Sequence, residues 1–197
     1  MADIADRLFN ILSSPGFLSM QGLANEVPIF IHAYDATQED DTRRMVDHLA
    51  ARLRTSGVEL AQVDLFDLIL EQLEDEQRLE KIIEREATLG KLKLKGLLSN
   101  LSDPKSRLIP RLMSRIGGVD IQLTLLTGVG RVYPFLRTHT ILEAIQPAMT
   151  AHPIVMFFPG EYVQESMGSQ LHLFGSVPNP KLSRAYYRAF NLADYRL

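Results

Sequence analysis

Val27-Pro28-Ile29-Phe30-Ile31-His32-Ala33-Tyr34, and then Val58-Glu59-Leu60-Ala61-Gln62-Val63-Asp64-Leu65 after a helix-length gap, decide the fold class of this chain. The first run is almost wholly apolar, and Pro28 stands near its start where a missing N–H is tolerated, so it reads as a buried strand. Between the runs Met45, Val46, Leu49 and Leu53 recur at helical spacing, opened by the cap signal Asp35-Ala36-Thr37 and stopped by Ser56-Gly57. Strand, helix and strand in roughly forty residues is the signature of a parallel βαβ unit.

Upstream, Ile4, Leu8, Phe9, Ile11 and Leu12 fall at helical spacing until Ser13-Ser14-Pro15-Gly16 breaks the run, so residues 1–26 read as an N-terminal docking helix. Downstream, residues 67–117 show no convincing strand and read as a helical insertion interrupted at Gly96 and Asp103-Pro104. Strand signals resume over Val119–Leu126 and Ile154–Phe158, the latter closed by Pro159-Gly160. Between them, Thr127-Gly128-Val129-Gly130 reads as a turn into a helix with Pro134 in its first turn and Leu136, Ile141, Leu142 and Ile145 on its apolar stripe. The eleven residues from 159 to 169 are too few for a helical crossover, so the last run, Leu171–Phe174, is expected to pair antiparallel. The expectation is a single α/β domain over residues 1–197: a three-layer, Rossmann-like core of about five mostly parallel strands, with the helical insertion between strands two and three.

The 197 residues are 46% hydrophobic and 23% charged, as in globular proteins, and contain no cysteine. Disulfides, thiolate metal sites and cysteine nucleophiles are therefore excluded. Asp3, Asp6 and Arg7 interrupt the N-terminal apolar residues, so a signal peptide is not indicated, and no apolar run approaches the ~20 residues of a membrane-spanning helix; a cytoplasmic protein is expected. The formal net charge of −3 gives no global reason to bind nucleic acid. Locally the insertion is polarised. From Glu71 to Glu86 seven acids stand against Arg78, Lys81 and Arg85, whereas Lys91, Lys93, Lys95, Lys105, Arg107, Arg111 and Arg115 face only Asp103.

Ligands of open α/β sheets sit beyond the carboxyl ends of the parallel strands. Here that rule points to Tyr34-Asp35, Asp64, the Gly128–Gly130 turn and Pro159-Gly160-Glu161-Tyr162. The glycine turn has the strand-before, helix-after context of a phosphate site, but Arg131-Val132-Tyr133 follows instead of Gly-Lys-Ser/Thr or a third glycine. Asp64 reads as a helix cap sooner than a magnesium ligand. His139 lies near Arg137 and one turn before Glu143, enough for a structural pair but short of a metal set, and His32 reads as a core histidine. No Gly-x-Ser-x-Gly elbow occurs. An acid set of Asp35, Asp64 and Glu161 is the weakest reading. The basic stretch lacks aromatics for base stacking, which favours intramolecular or protein contacts over nucleic acid. Tyr186-Tyr187-Arg188-Ala189-Phe190 suits an interface or a clamp on the core. No cofactor and no metal is expected.

Taken in order, Gly22-Leu23-Ala24-Asn25-Glu26-Val27-Pro28, Gly128-Val129-Gly130-Arg131-Val132-Tyr133-Pro134, Leu136-Arg137-Thr138-His139, Phe157-Phe158-Pro159-Gly160-Glu161-Tyr162, Leu173-Phe174-Gly175 and Tyr187-Arg188-Ala189-Phe190 resemble the BrxB family of BREX (bacteriophage exclusion) systems. The resemblance spans essentially the whole chain. It implies a component of a bacterial antiphage system without established catalysis, a partner of the alkaline-phosphatase-like PglZ and beyond it of the PglX methyltransferase and the BrxC ATPase. It supplies no catalytic residues, so Arg137, His139, Glu161, Tyr162 and Arg188 stand only as constrained positions. Together with the residue-level reading it leads to an adaptor with Lys91, Lys93, Lys95, Tyr187, Arg188 and Phe190 as partner contacts. The alternative is a nucleotide- or nucleic-acid-sensing domain using Gly128, Gly130, Arg131 and Arg137, with His139, Glu161 and Tyr162 as further ligand candidates.

Overall fold

A computed structural model of the chain describes residues 2–21, 28–117, 120–148, 151–165, 168–175 and 189–196. Four strands carry the core: β1 (Ile29–Tyr34), β2 (Leu60–Asp64), β3 (Leu123–Thr127) and β4 (Ile154–Glu165). Two more, β5 (Gly168–Leu173) and the two-residue β6 (Phe190–Asn191), complete the sheet. The spatial order is β2-β3-β4-β1-β6, all parallel, and β5 pairs antiparallel with the second half of β4.

The alternation of side chains along the strands sorts the core into two layers. Ile29, Ile31, Ile154, Met156 and Phe158 point to one face, where they meet helices α4 (Leu65–Asp75), α7 (Ile109–Ile116) and α8 (Thr138–Ile145). Phe30, Leu123, Leu125, Val155 and Phe157 point to the other, against α1 (Ala2–Leu12) and α3 (Glu39–Thr55). Each of these fully buried apolar side chains contributes about 1.5–3 kcal/mol relative to exposure. The chain moves outward from β1 to β2 across the α3 face and returns from β2 through β3 to β4 across the opposite face. That is how right-handed crossovers must divide when the direction of travel reverses. This is the α/β, Rossmann-like three-layer arrangement expected from the opening strand, helix and strand.

Several boundaries differ from the expectation. Strands one and two are parallel members of one sheet, yet β3 and β4 lie between them; apolar runs report burial and say nothing of adjacency. Strand three is Leu123–Thr127, not Val119–Leu126, and residues 118–119 lie outside the described residues, as does the Gly22–Val27 motif. Pro134 does not open a helix. Turns closed by Arg131 N–H and Val132 N–H donating to Gly128 O occupy the segment after β3, the residue before a proline disfavours helical backbone, and α8 starts only at Thr138. Pro159-Gly160 does not end strand four: β4 continues to Glu165 and doubles back as β5, the antiparallel pairing expected for the last run, which ends at Leu173. Phe174 instead turns with φ +56°.

The insertion is helical, as expected, and the expected interruption at Asp103-Pro104 is present, where Ser102 ends one helix and Asp103 opens the next helical turn, whereas Gly96 interrupts nothing. Helix α6 (Lys91–Leu101) runs through Gly96, whose helix penalty of ~1 kcal/mol is offset by Leu97 and Leu98 packing on the core. Two further breaks lie at Gln77 (φ +56°), where Arg78 N–H donates to Leu73 O and closes α4, and at Gly90 (φ +71°), which separates α5 (Leu79–Leu89) from α6. Asp103 caps the π-helical turn Pro104–Leu108, accepting from Ser106 N–H at 2.8 Å.

At the far side, the chain ends meet. Phe17 of the short helix α2 (Pro15–Leu18) lies 4.7 Å from Phe30 and 5.2 Å from Tyr195, ring centre to centre, and Arg52 covers the Phe9 ring at 4.1 Å. His32 stands edge-on to Phe157 at 5.4 Å, and His152 is buried with its Nε2 2.8 Å from Thr124 Oγ1. Burial first and the positive charge of Arg7 second pull the His32 imidazole from 6.5 down to about 4, and burial also lowers His152. The unfolded chain therefore takes up protons from pH 6.5 downward before the folded chain does. Stability is full above pH 6.5 and falls as the pH drops toward 4. Equilibrium urea unfolding at pH 7.5 and 4.5 should show a loss roughly 1–2 kcal/mol smaller for His32→Gln than for the wild type.

Candidate functional site

Asp64 ends β2 and caps α4: its Oδ1 accepts from the backbone N–H of Phe66 at 2.9 Å and of Asp67 at 3.2 Å. Its Oδ2 accepts from the Thr127 hydroxyl at 3.2 Å, across the carboxyl end of β3. Gly128 follows with φ +78°, and a Cβ there would stand 2.3 Å from Asp64 Oδ1. Only glycine leaves room for the carboxylate. Arg131 then reaches back, with Nη1 3.1 Å from Asp64 and 3.0 Å from Asp67 and its guanidinium 4.6 Å above the Phe66 ring. A helix N-terminus beside a glycine turn attracts an anion. Here the chain's own Asp64 supplies it, and Arg131 is engaged by two carboxylates.

The neighbouring crevice is covered as well. Tyr34 pairs in register with Pro159, and beyond that level the β4–β5 hairpin rises from the sheet. A Cβ on Gly130 would lie 2.9 Å from the Pro159 ring and 3.1 Å from that of Phe174, so the turn packs beneath the hairpin base. Gly160 brings its backbone against His172 O, where a Cβ would sit at 2.1 Å. Glu161 is exposed opposite His172, and the Tyr162 hydroxyl donates to Ala189 O at 3.0 Å, tying the hairpin to the start of β6. The structure thus brings Gly128, Gly130 and Arg131 together with Asp64. It leaves Arg137 exposed at the N-cap of α8 and places His139 on that helix, its pKa lowered chiefly by burial while Glu143 opposes the shift.

Asp35 is committed to its own turn, accepting from the Thr37 N–H at 2.8 Å and hydroxyl at 2.7 Å, and these bonds hold its carboxyl below the ordinary range. Among the described residues no three histidines or acids gather as metal ligands. Burial pushes the Tyr34 phenol up, aided by its hydrogen bond to Glu39. A cavity of about 360 Å³ runs along the free edge of β2, lined by side chains of both signs including Arg43, Arg54, Asp67 and Glu71; Asp47 there accepts from Gln62 at 2.6 Å. One exposed aromatic pair escaped the sequence reading: Tyr133 and Phe174, 43% and 48% exposed, meet edge-on at 5.8 Å over the hairpin base.

The insertion divides its charge. Arg107 pairs with Glu76 at 2.8 Å, Arg111 with Asp75 at 2.7 Å, and Arg115 with Glu71, lacing the basic segment to α4. These pairs are partly exposed and each is worth about 1 kcal/mol at most. Lys91, Lys93 and Lys95 are different: among the described residues they meet no carboxylate. Of the C-terminal contact candidates, Phe190 sits in β6 with its ring 5.7 Å from Phe30, and Tyr187 and Arg188 lie outside the described residues.

The tight seat of Asp64 makes Gly128 sensitive. Gly128→Ala should lower stability by roughly 2–3 kcal/mol through strained backbone and displaced carboxylate, and Gly130→Ala by less, because Gly130 does not have a left-handed φ and its nearest neighbour, the Pro159 ring, stands farther off at 2.9 Å; thermal melts of both variants check the order.

A family model described as BREX protein BrxB matches residues 61–192 of the chain. Among curated proteins, the BREX protein BrxB of Bacillus cereus (strain H3081.97) is 34% identical over 201 residues, covering 98% of this chain and 100% of the relative. The BREX protein BrxB of Escherichia coli O9:H4 (strain HS) is 28% identical over 176 residues, covering 89% and 83%. No solved structure matches the chain. Two-thirds of the sequence under the family model, and a full-length relative above 30% identity, agree with the motif order read from the residues, and the chain belongs to the BrxB family.

Proposed function

We propose that this chain is a non-catalytic adaptor of a BREX antiphage defence complex, holding the alkaline-phosphatase-like PglZ and, through it or beside it, the PglX methyltransferase or the BrxC ATPase. The observation that carries the reading is the contrast within the insertion. Arginines 107, 111 and 115 are spent on α4, while Lys91, Lys93 and Lys95 project with no carboxylate among the described residues. Unpaired like charges on one short helix repel each other and favour an oppositely charged surface. The C-terminal segment, with Tyr187, Arg188 and Phe190, is the second contact candidate. A nucleotide sensor built on Gly128, Gly130, Arg131 and Arg137 has less support, because Asp64 already fills the anion position and would have to be expelled with its Arg131 pairing.

Tagged protein purified from cells carrying its own operon should retain PglZ after nuclease treatment, read by mass spectrometry. Recovery of nothing, or of partners that vanish with nuclease, overturns the adaptor and moves the function to ligand or nucleic-acid sensing.

A further inference from the structure

Helices α5 and α6 form an arm joined at Gly90 and attached mainly at one end. Leu97 and Leu98 pack on the core, Ser99 donates to Phe135 O at 2.8 Å, and Gln72 donates to Leu101 O at 3.0 Å. Leu79 and Ile82 of α5 also pack half-buried against the core, whereas Ile83 is 60% exposed and Leu92, beside Gly90, is 86% exposed. An isolated exposed leucine is ordinary on a protein surface. Leu92 is not isolated in character. It stands between Lys91 and Lys93 in Lys91-Leu92-Lys93-Leu94-Lys95, an alternation that a helix cannot bury on one side because residues two apart lie about 200° apart. Leu94 is half-buried and Leu92 is left in water, flanked by lysines that have no carboxylate among the described residues.

We infer that this arm docks an acidic, amphipathic segment of a partner protein, Leu92 entering an apolar site while Lys91, Lys93 and Lys95 pair with the carboxylates around it. This deepens the adaptor reading and rests on it. The arm's composition favours protein over nucleic acid. Residues 79–101 include no aromatic side chain to stack on bases, so a nucleic acid would be held by the lysines alone. Leu92 and Ile83 gain nothing from phosphates. A partner helix with acids flanking an apolar stripe satisfies both the charge and the exposed leucine.

The test titrates purified PglZ with the full-length chain at about 50 and about 300 mM salt, comparing wild type with K91E/K93E/K95E, the neutral K91Q/K93Q/K95Q and L92S. The side chains are exposed or half-exposed, so thermal melts of all variants should agree within about 2 °C. The expected result is weakening of about 100-fold for the charge reversal at low salt with a flattened salt dependence, an intermediate loss for the neutral variant, and about tenfold for L92S with the salt dependence kept. PglZ binding unchanged in every variant overturns the arm's role and leaves the adaptor standing. Wild type that does not bind PglZ overturns both. Wild type that binds a DNA duplex or phosphatidylserine vesicles, with only that binding lost on charge reversal, overturns the protein-partner assignment.

Discussion

Ile154, Val155, Met156, Phe157 and Phe158 are all buried, because β1 flanks their backbone along its length, β3 flanks the first three, and helices cover both faces of their side chains. Everything else is arranged around that constraint. Odd and even positions are assigned to opposite layers, so α1 and α3 are recruited to one face and α4, α7 and α8 to the other. The opposite directions of travel on the two faces follow from the handedness of parallel crossovers. Where β1 ends, at Tyr34 opposite Pro159, β4 loses that neighbour and satisfies its backbone by folding back as the β4–β5 hairpin.

That hairpin and Asp64 together explain why the carboxyl edge of this sheet differs from a nucleotide crevice. Asp64 caps α4, binds the Thr127 hydroxyl, holds Arg131 and excludes any side chain at Gly128. One carboxylate thus joins the ends of two strands, one helix and the following turn. Because it is charged, partly buried and hydrogen-bonded to N–H donors of a helix N-terminus, it occupies the position in which a phosphate is bound in folds that bind one. Gly128 and Gly130 serve close packing: the first against the carboxylate, the second beneath Pro159 and Phe174.

The excess positive charge of the insertion's second half is two things in space. Arg107, Arg111 and Arg115 turn toward acids contributed some thirty or more residues earlier and stitch α7 and the π-helical turn to α4. Lys91, Lys93 and Lys95 lie on α6, away from that ladder. Acidic and basic runs that look like a single dipole along the chain therefore become an ion-paired seam and a separate group of lysines on α6.

The residues alone determined the α/β class, the helical character of 67–117, the antiparallel return of the last strand, the capping role of Asp64 and the family. Each rests on short-range information: apolar period, turn chemistry, loop length or ordered motifs. Gly96 does not interrupt its helix, because the packing of Leu97 and Leu98 outweighs its low helix propensity. The strand order, the continuation of β4 past Pro159, the pairing of Arg131 with Asp64 and Asp67, and the division of arginines from lysines all join residues far apart in sequence. Burial pattern tells a residue that it is inside, but not beside what. Only tertiary structure decides that Leu94 is half-buried and Leu92 exposed, since an alternating pattern on a helix has no single face to offer the core.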